Sequence, residues 1–195
     1  VAAQSYTDLN LTAGATYSYS VVARDAAGNV SAEGTATVTM PAAGAAVIRV
    51  NAGGGEYVDE AGSAWSADIG FNTGNTYSNP SAAIAGTTRD VLFQSERWDP
   101  ASGLELEYGF DVLNGDYQVN LYFAEIYGGA QSIGARVFDV LVEGALALDD
   151  LDIYSEVGAN AALIKSIPVT VTDGRLEIQF LHVVENPKIS AIEVV

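Results

Sequence analysis

Three aromatic side chains carry the clearest chemical signal in this sequence. Tyr77, Trp98 and Tyr127 lie at the predicted ends of strands, and no recognisable catalytic motif accompanies them. A pyranose ring presents C–H groups on its faces and hydroxyls around its rim, so aromatic plates can cover the faces while polar tips address the edge. These three residues therefore predict a surface that binds something flat and polar, such as a sugar.

Two other features have metal-binding side chains but fit a structural role better. Hard cations take clustered carboxylates, yet the run Asp149-Asp150-Leu151-Asp152 matches no calcium-loop spacing, and we interpret it as a solvated acidic turn after a short strand. His182 is the only histidine, so a multi-histidine site is excluded, and we expect this residue to be structural or at the rim of the binding site. We predict no cofactor and no metal ion, and leave a structural calcium elsewhere open.

The composition excludes several classes of partner. Lys and Arg number 8 against 25 Asp and Glu, for a formal net charge of -17, which repels a phosphate backbone and an anionic membrane surface. Cysteine is absent, so disulfides, thiolate zinc sites and a cysteine nucleophile are excluded. The longest apolar stretch, residues 40–48, is too short to span a bilayer and is broken by proline and glycine. We predict neither a nucleic-acid partner nor membrane insertion.

The hydrophobic pattern has the period of β-strands. Apolar residues alternate with polar ones over 104–110 and again over 117–123, as half-buried strands require. Asn114-Gly115 lies between the two runs and predicts a hairpin, and Asp173-Gly174 predicts a second hairpin of the same design. Many short strands with regular turns predict an all-β sandwich or jelly roll.

A change in composition divides the chain. The run Met40-Pro41-Ala42-Ala43-Gly44-Ala45 is small, flexible and uncharged, which is typical of a linker. We predict a first domain over residues 1–41, a linker over 42–45 and a second domain over 46–195. Val1 is not a natural start, so we expect the chain to be part of a larger multidomain protein.

The segment before the linker resembles the second half of a fibronectin type III domain. The resemblance rests on Leu11-Thr12-Ala13-Gly14-Ala15-Thr16-Tyr17 and on Asp25-Ala26-Ala27-Gly28-Asn29-Val30-Ser31. Because the first strands of such a sandwich are missing, this partial domain cannot close its own core and leaves an exposed strand edge. We expect it to be loosely ordered or packed on the next domain, and to act as a spacer.

A series of short motifs in a fixed order covers most of the segment after the linker. They are Ile48–Gly54, Trp65–Asp68, Ile84–Thr88, Leu92–Trp98, Phe123–Tyr127, Val137–Val140, Leu151–Tyr154 and Glu185–Ile189. With these motifs the segment from about Ala46 to Val195 resembles a malectin domain. The resemblance implies a carbohydrate-binding module with a galactose-binding-like jelly-roll fold.

The resemblance also implies site residues. In the family, aromatic residues and one carboxylate on loops at one edge of the sandwich bind the sugar. Matched by position, the aromatic residues are Tyr77, Trp98 and Tyr127, and the carboxylate is Glu185. An ionised carboxylate accepts sugar hydroxyls through charge-assisted hydrogen bonds. Arg97 is first a candidate for a structural ion pair or loop brace, and second a candidate donor to a sugar hydroxyl.

Two positions depart from the family pattern. Some relatives have a second aromatic residue directly after the tyrosine that matches Tyr127, where this chain has Gly128, which removes one stacking wall. The best-known relatives have aspartate before Asn-Pro-Lys, where this chain has Glu185, which reaches one methylene further. The family's glucose-disaccharide preference therefore does not carry over directly, and the sugar and linkage are not specified by the sequence.

These observations predict a non-catalytic module that holds a secreted or cell-surface, bacterial multidomain protein on a glucose-containing oligosaccharide or related polysaccharide. One alternative is a structural or adhesive module that binds protein, which a large exposed apolar patch would favour. A further alternative is a glycoside hydrolase, which needs two carboxylates on either side of one glycosidic bond. No acidic pair in the sequence forms a recognisable catalytic motif, so we predict that the chain is not an enzyme.

Overall fold

The computed structural model describes residues 8, 15–25, 27–39, 47–100 and 103–195, and almost all regular structure within them is β. The strands are β1 (Thr16–Val21), β2 (Gly34–Thr39), β3 (Ile48–Asn51), β4 (Tyr57–Val58), β5 (Ala64–Trp65), β6 (Asn75–Ser78), β7 (Ser95–Trp98), β8 (Leu106–Asp111), β9 (Gly115–Phe123), β10 (Val137–Val142), β11 (Ala145–Leu151), β12 (Leu163–Val171), β13 (Arg175–Val184), β14 (Lys188–Ile189) and β15 (Ala191–Val194). The helical pieces are α1 (Ile153–Val157) and 3₁₀ turns at Asp90–Phe93 and Gly128–Ala130. No helix in the described part of the chain is long and apolar enough to cross a membrane.

Two four-stranded antiparallel sheets form a sandwich. One has the strand order β11-β10-β13-β8 and the other has the order β12-β9-β15-β3. Alternate residues of a strand point to opposite faces, so each sheet directs one row of apolar side chains inward. Phe138 of the first sheet meets Phe123 of the second, with 5.9 Å between ring centroids. The predicted all-β jelly-roll sandwich is confirmed.

Both predicted hairpins are wrong, because the strands on either side of each turn belong to different sheets. β8 pairs with β13, whereas β9 pairs with β12 and β15. The chain therefore crosses from one sheet to the other at Asn114-Gly115, and again at Asp173-Gly174 between β12 and β13. In a hairpin the apolar rows of consecutive strands lie side by side on one sheet, whereas in an arch, where the chain crosses between sheets, they face each other across the core. Both arrangements bury the same residues, so the alternating pattern alone cannot distinguish an arch from a hairpin.

A hairpin does form between β10 and β11. Its turn residues, Glu143 and Gly144, have φ values of 51° and 70°, the left-handed pair that a two-residue hairpin turn requires. The predicted acidic turn at 149–152 is corrected, because β11 continues through Asp149 and Asp150 to Leu151. Asp152 instead caps α1, where its carboxylate accepts from the backbone N–H of Ser155 at 2.9 Å.

A smaller sheet, ordered β14-β7-β6, packs beside the sandwich over a second apolar cluster. Trp65 lies in that cluster, donates its indole N–H to Asp59 and meets the Tyr122 ring edge-on at 5.4 Å. Trp65 is 1% exposed and belongs to the core. The small sheet aligns Tyr77 of β6 with Glu96 of β7. It therefore sets the positions of several candidate site residues.

The strands β1 and β2 form a separate antiparallel ribbon, from the pair Thr16 and Thr39 to the pair Val21 and Gly34. Within the described residues, neither strand contributes to the two apolar clusters. The predicted linker at 42–45 and much of the fibronectin-like sequence lie outside the described residues. The fibronectin resemblance and the domain boundaries remain predictions.

Two leucines of one predicted strand give a matched test of this core. Leu106 is fully buried, whereas Leu104 is 74% exposed and precedes β8. We expect Leu106→Ala to lower the free energy of unfolding by about 2–5 kcal/mol, because it leaves a cavity. Leu104→Ala should change it by less than about 0.5 kcal/mol. Urea denaturation measures both, and equal losses would contradict the assigned core.

Candidate functional site

A cavity of about 180 Å³ opens where the small sheet meets the loops at one end of the sandwich. Its lining residues are Tyr77, Glu96, Trp98, Tyr127, Arg136, Glu185 and Asn186. Tyr77 and Trp98 come from β6 and β7, Tyr127 follows β9, and Glu185 follows β13. The structure thus brings together four of the five predicted site residues, although they are far apart in the sequence.

Two of the aromatic rings stand at right angles to each other. The rings of Tyr77 and Tyr127 meet edge to face, with 5.7 Å between centroids and 82° between planes. Tyr127 remains 45% exposed, and Tyr77 and Trp98 are half-buried. Edge-to-face contact is a favoured arrangement of aromatic pairs. It holds the two rings in place while leaving apolar surface available to a ligand.

Arg97 does not line the cavity, and its contacts favour the first of its two predicted roles, an ion pair or loop brace, over a donor to the sugar. Alternate residues of a strand point to opposite sides, so Arg97 points away from the face that carries its neighbours on β7. Its guanidinium donates to Asp68 at 2.7 Å and to the carbonyl of Gly74 at 2.7 Å, and lies 3.3 Å from the ring centroid of Phe71. These contacts are those of a loop brace.

Beneath the cavity lies a buried cation, the ammonium group of Lys188, which has no exposed surface. It pairs with the carboxylate of Glu96 on β7 and lies 3.6 Å from the carboxylate of Glu125. It also donates to the carbonyl of Ala124. Burying a charge is costly unless it is paired and hydrogen-bonded. The two carboxylates and the carbonyl meet that requirement.

The ion pairs continue to the rim of the cavity through Arg136. Its Nε donates to the second oxygen of Glu125 at 2.9 Å, and its Nη1 lies 3.4 Å from Glu185 and donates to the carbonyl of Asn186. The amide of Asn186 donates back to the Glu185 carboxylate at 3.1 Å. Charges therefore alternate from Glu96 through Lys188 and on to Glu185, and we call these five charged residues the ion chain.

Glu185 ends the ion chain at the surface, where its side chain is 40% exposed. Its φ of 61° lies in the left-handed region, which is uncommon for a residue with a side chain. Hydrogen bonds from Asn186 and the contact with Arg136 hold the carboxylate in this unusual position. The cavity thus has a fixed acceptor next to its aromatic rings.

The sequence did not reveal the role of Arg136, Asn186 or the buried part of the ion chain. Lys188 and Glu125 belong to two of the motifs that resemble malectin domains, but the sequence around each residue does not indicate that they are partners. One usable signal of a buried ion pair is the scarcity of basic residues, because the chain has 8 Lys and Arg residues against 25 Asp and Glu. In so acidic a chain, a lysine next to an apolar strand residue such as Ile189 predicts an ion pair.

Two groups of side chains could hold a metal ion within the described residues, and neither lines the cavity. One consists of Asp99, Glu105 and His182. The other consists of Asp139, Asp149 and Asp150, and contains part of the acidic run of the sequence.

A family model described as "Malectin domain" matches residues 46–192. Malectin-B of Xenopus laevis is 33% identical over 144 residues, which cover 67% of this chain and 47% of that protein. The chain therefore spans about half the length of this curated relative.

Two solved structures have a similar fold. The ANX2 ectodomain of Arabidopsis thaliana superposes with a TM-score of 0.67 at 17% identity, over 75% of this chain and 48% of that chain. A beta-glucuronidase of Bacteroides uniformis superposes with a TM-score of 0.67 at 19% identity, over 89% of this chain and 21% of that chain. At these identities the similarity concerns the fold alone.

Gly129 is predicted to set the position of the Tyr127 ring. A Cβ atom on Gly129 would lie 2.5 Å from Cε1 of that ring, whereas a Cβ on Gly128 would meet nothing within 4 Å. We expect Gly129→Ala to displace the ring from its contact with Tyr77 and Gly128→Ala to leave it in place. Crystal structures of both variants check this, and an unmoved ring in Gly129→Ala would contradict it.

Lys188 is predicted to stabilise the fold as well as the site. Lys188→Met leaves the carboxylate of Glu96 buried without its cation and leaves Glu125 with Arg136 alone, and we expect a loss of about 3–5 kcal/mol in unfolding free energy. Lys165→Met is the matched control, because Lys165 forms a partly exposed pair with Glu156 and such pairs contribute up to about 1 kcal/mol. Urea denaturation measures both, and a similar loss in the two variants would contradict the role of the ion chain.

Proposed function

The chain belongs to the malectin domain family, and from this premise we propose that it is a non-catalytic carbohydrate-binding module whose ligand occupies the cavity at Tyr127. One observation carries the proposal: perpendicular aromatic rings stand next to a carboxylate that is fixed by the ion chain. Aromatic faces suit the C–H surfaces of a sugar ring, and fixed acceptors suit its hydroxyls.

In the proposed complex the sugar ring lies against the exposed face of Tyr127, and Trp98 covers a second side. Glu185 accepts from sugar hydroxyls, while Arg136 and Asn186 can donate to them. These polar groups are already held by hydrogen bonds, so binding need not order them, and preorganisation of this kind favours affinity. The roles of these residues rest on their shared cavity and on the family resemblance.

The size and charge of the cavity support a particular class of ligand. Its volume of about 180 Å³ is below the range of about 300–1,000 Å³ that is typical of drug-sized ligands, which favours one sugar ring inside and the remainder of the glycan outside. The ion chain contains three carboxylates and two cations, and the protein as a whole has a net charge of -17. We therefore propose a neutral, glucose-containing oligosaccharide or related polysaccharide rather than an acidic one.

Glycoside hydrolysis is a second candidate, because two carboxylates, Glu96 and Glu185, line the same cavity. Hydrolysis requires one of them to deliver a proton and the other to attack or to activate water. Glu96 is buried against Lys188, and Glu185 is held by Arg136 and Asn186. Both carboxylates are thus engaged as acceptors, which favours binding over catalysis.

The proposal extends to the setting of the module. We propose that residues 46–195 are the sugar-binding domain, that 42–45 are a linker, and that 1–41 are a partial fibronectin type III spacer. A secreted or cell-surface bacterial protein with further domains is the setting that such an arrangement supports. The malectin match over 46–192 and the fibronectin-like sequence motifs support the division.

A glycan array probed with the full chain, followed by calorimetric titration of the best ligand, tests the function and the site together. We expect Tyr127→Ala to weaken binding by about tenfold or more, which corresponds to about 1.4 kcal/mol. Tyr154→Ala is the matched control, because Tyr154 lies on α1 and does not line the cavity. Glu185→Gln should also weaken binding, since it replaces an ionised acceptor by a neutral one.

The outcomes separate the function from the site. If no glycan on the array bound the protein, the proposed function would be contradicted. Binding that both Tyr127→Ala and Glu185→Gln leave unchanged would contradict the site alone. Release of reducing sugar from a bound oligosaccharide would favour the hydrolase.

A further inference from the structure

A second cluster of polar side chains lies outside the cavity. Asp99 follows β7, Glu105 precedes β8, and His182 belongs to β13. One ligand atom from each of these three residues lies within 4.8 Å of the others. The pairing of β8 with β13 ends at Leu106 with Phe180, which brings Glu105 and His182 together just beyond it.

Asp99 is the feature of this cluster that requires an explanation. The residue is 1% exposed, and its Oδ2 accepts from the backbone N–H of Leu106 at 2.7 Å. Its Oδ1 is buried and has no hydrogen-bond partner among the described residues. Buried polar atoms in folded proteins are nearly always paired, because an unmade hydrogen bond is costly. A ligand at Oδ1 would remove that cost.

The charges around Asp99 also call for a cation. His182 contacts Glu105 through Nδ1 at 2.8 Å, and its Nε2 lies 3.2 Å from the carbonyl oxygen of Asp99. Two carboxylates and a neutral imidazole carry two negative charges, which one divalent cation would balance.

We propose that Asp99, Glu105 and His182 bind one divalent transition-metal cation, with zinc(II) as its representative. Imidazole nitrogen with carboxylate oxygen is a donor set that suits zinc and related metals, and three protein ligands with an open position are usual for zinc sites that keep a water. The side chains of His182 and Glu105 are 22% and 45% exposed, so the ion can enter from solvent.

A plain ion pair is the competing explanation of the same contacts. In that case a protonated His182 donates to Glu105 and to the carbonyl of Asp99, and no metal binds. The two explanations differ in a measurable way, since a metal requires the neutral imidazole and displaces its proton. They differ also at Asp99, because an ion pair between His182 and Glu105 leaves its Oδ1 without a partner.

The acidic cluster at Asp139, Asp149 and Asp150 provides a matched control within the same chain. Asp149 and Asp150 are exposed, and an oxygen of Asp139 accepts from the backbone N–H of Asp150 at 2.8 Å. This cluster has no histidine and no orphaned buried oxygen among the described residues. We therefore expect no specific metal binding there.

The test uses the full chain, produced without a histidine tag and stripped of metal with a chelator. Because His182 is the only histidine, its imidazole nitrogens give a single set of signals in a long-range ¹H–¹⁵N correlation spectrum. Titration with zinc chloride should shift those signals with saturation at one equivalent, and calorimetry should give the same stoichiometry. Zinc should also raise the melting temperature, since a ligand that binds the folded state stabilises it.

Variants decide which residues bind the ion. Loss of a residue that only supports a metal ligand already weakens metal affinity by about 10- to 100-fold. His182 and Glu105 are ligands in the proposed site, so we expect His182→Gln and Glu105→Gln each to weaken zinc binding by more than tenfold. Asp99→Asn should do the same, and Asp149→Asn should leave the affinity unchanged. Melting temperatures in the chelator verify that each variant folds, and Glu105→Gln, at an exposed position, serves if Asp99→Asn does not fold.

Several outcomes would overturn the proposal. Absence of saturable zinc binding at millimolar concentration, or equal affinity of the wild type and His182→Gln, would leave an ion pair only. Calcium or magnesium binding as tightly as zinc would contradict the class of cation. Loss of zinc binding in Asp149→Asn, with His182→Gln unaffected, would assign any metal to the acidic cluster instead.

Discussion

The buried ammonium group of Lys188 is the contact on which the rest of the site depends. It lies where three segments converge, since its partners are Glu96 of β7 and the Ala124-Glu125 segment after β9. Trp98 lies two residues beyond the first partner, and the backbone N–H of Tyr127 donates to the carboxylate of Glu125. One buried cation therefore fixes the relative positions of aromatic residues from separate parts of the fold.

The ion chain also explains how a surface loop can present a fixed acceptor. Buried charges lose their solvation, so a buried network is stable only when every member has a partner. Arg136 extends the network to the rim of the cavity, where Glu185 adopts a left-handed backbone conformation. Surface carboxylates are ordinarily free to rotate, but the Glu185 carboxylate is held by Arg136 and Asn186. Precise binding sites generally require that the side chains in contact with the ligand are held rigidly.

The sequence predicted the faces of the strands better than it predicted their neighbours. Period-two alternation identifies which side chains point inward, so the inward faces of β8 and β9 could be foreseen. It does not identify the pairing partner, and both predicted hairpins are arches for that reason.

The same limit applies to the site. The motif order identified Tyr77, Trp98, Tyr127 and Glu185, which the structure brings to one cavity. The opposite direction of the Arg97 side chain could have been foreseen, because neighbouring residues on a strand point to opposite faces. The pair of Lys188 and Glu96 spans 92 positions, and no local pattern reveals such a pair.

The order of the strands has a consequence for how the molecule is made. β3 pairs only with β15 in its sheet, and the ion pair of Arg49 and Glu193 across these strands joins residues 144 positions apart. Contacts so distant in the chain make folding slow. During synthesis β3 emerges early and keeps an unpaired edge until almost the last residues of the domain arrive, a state open to aggregation. Lys188 arrives at the same late stage, so the binding site is assembled last.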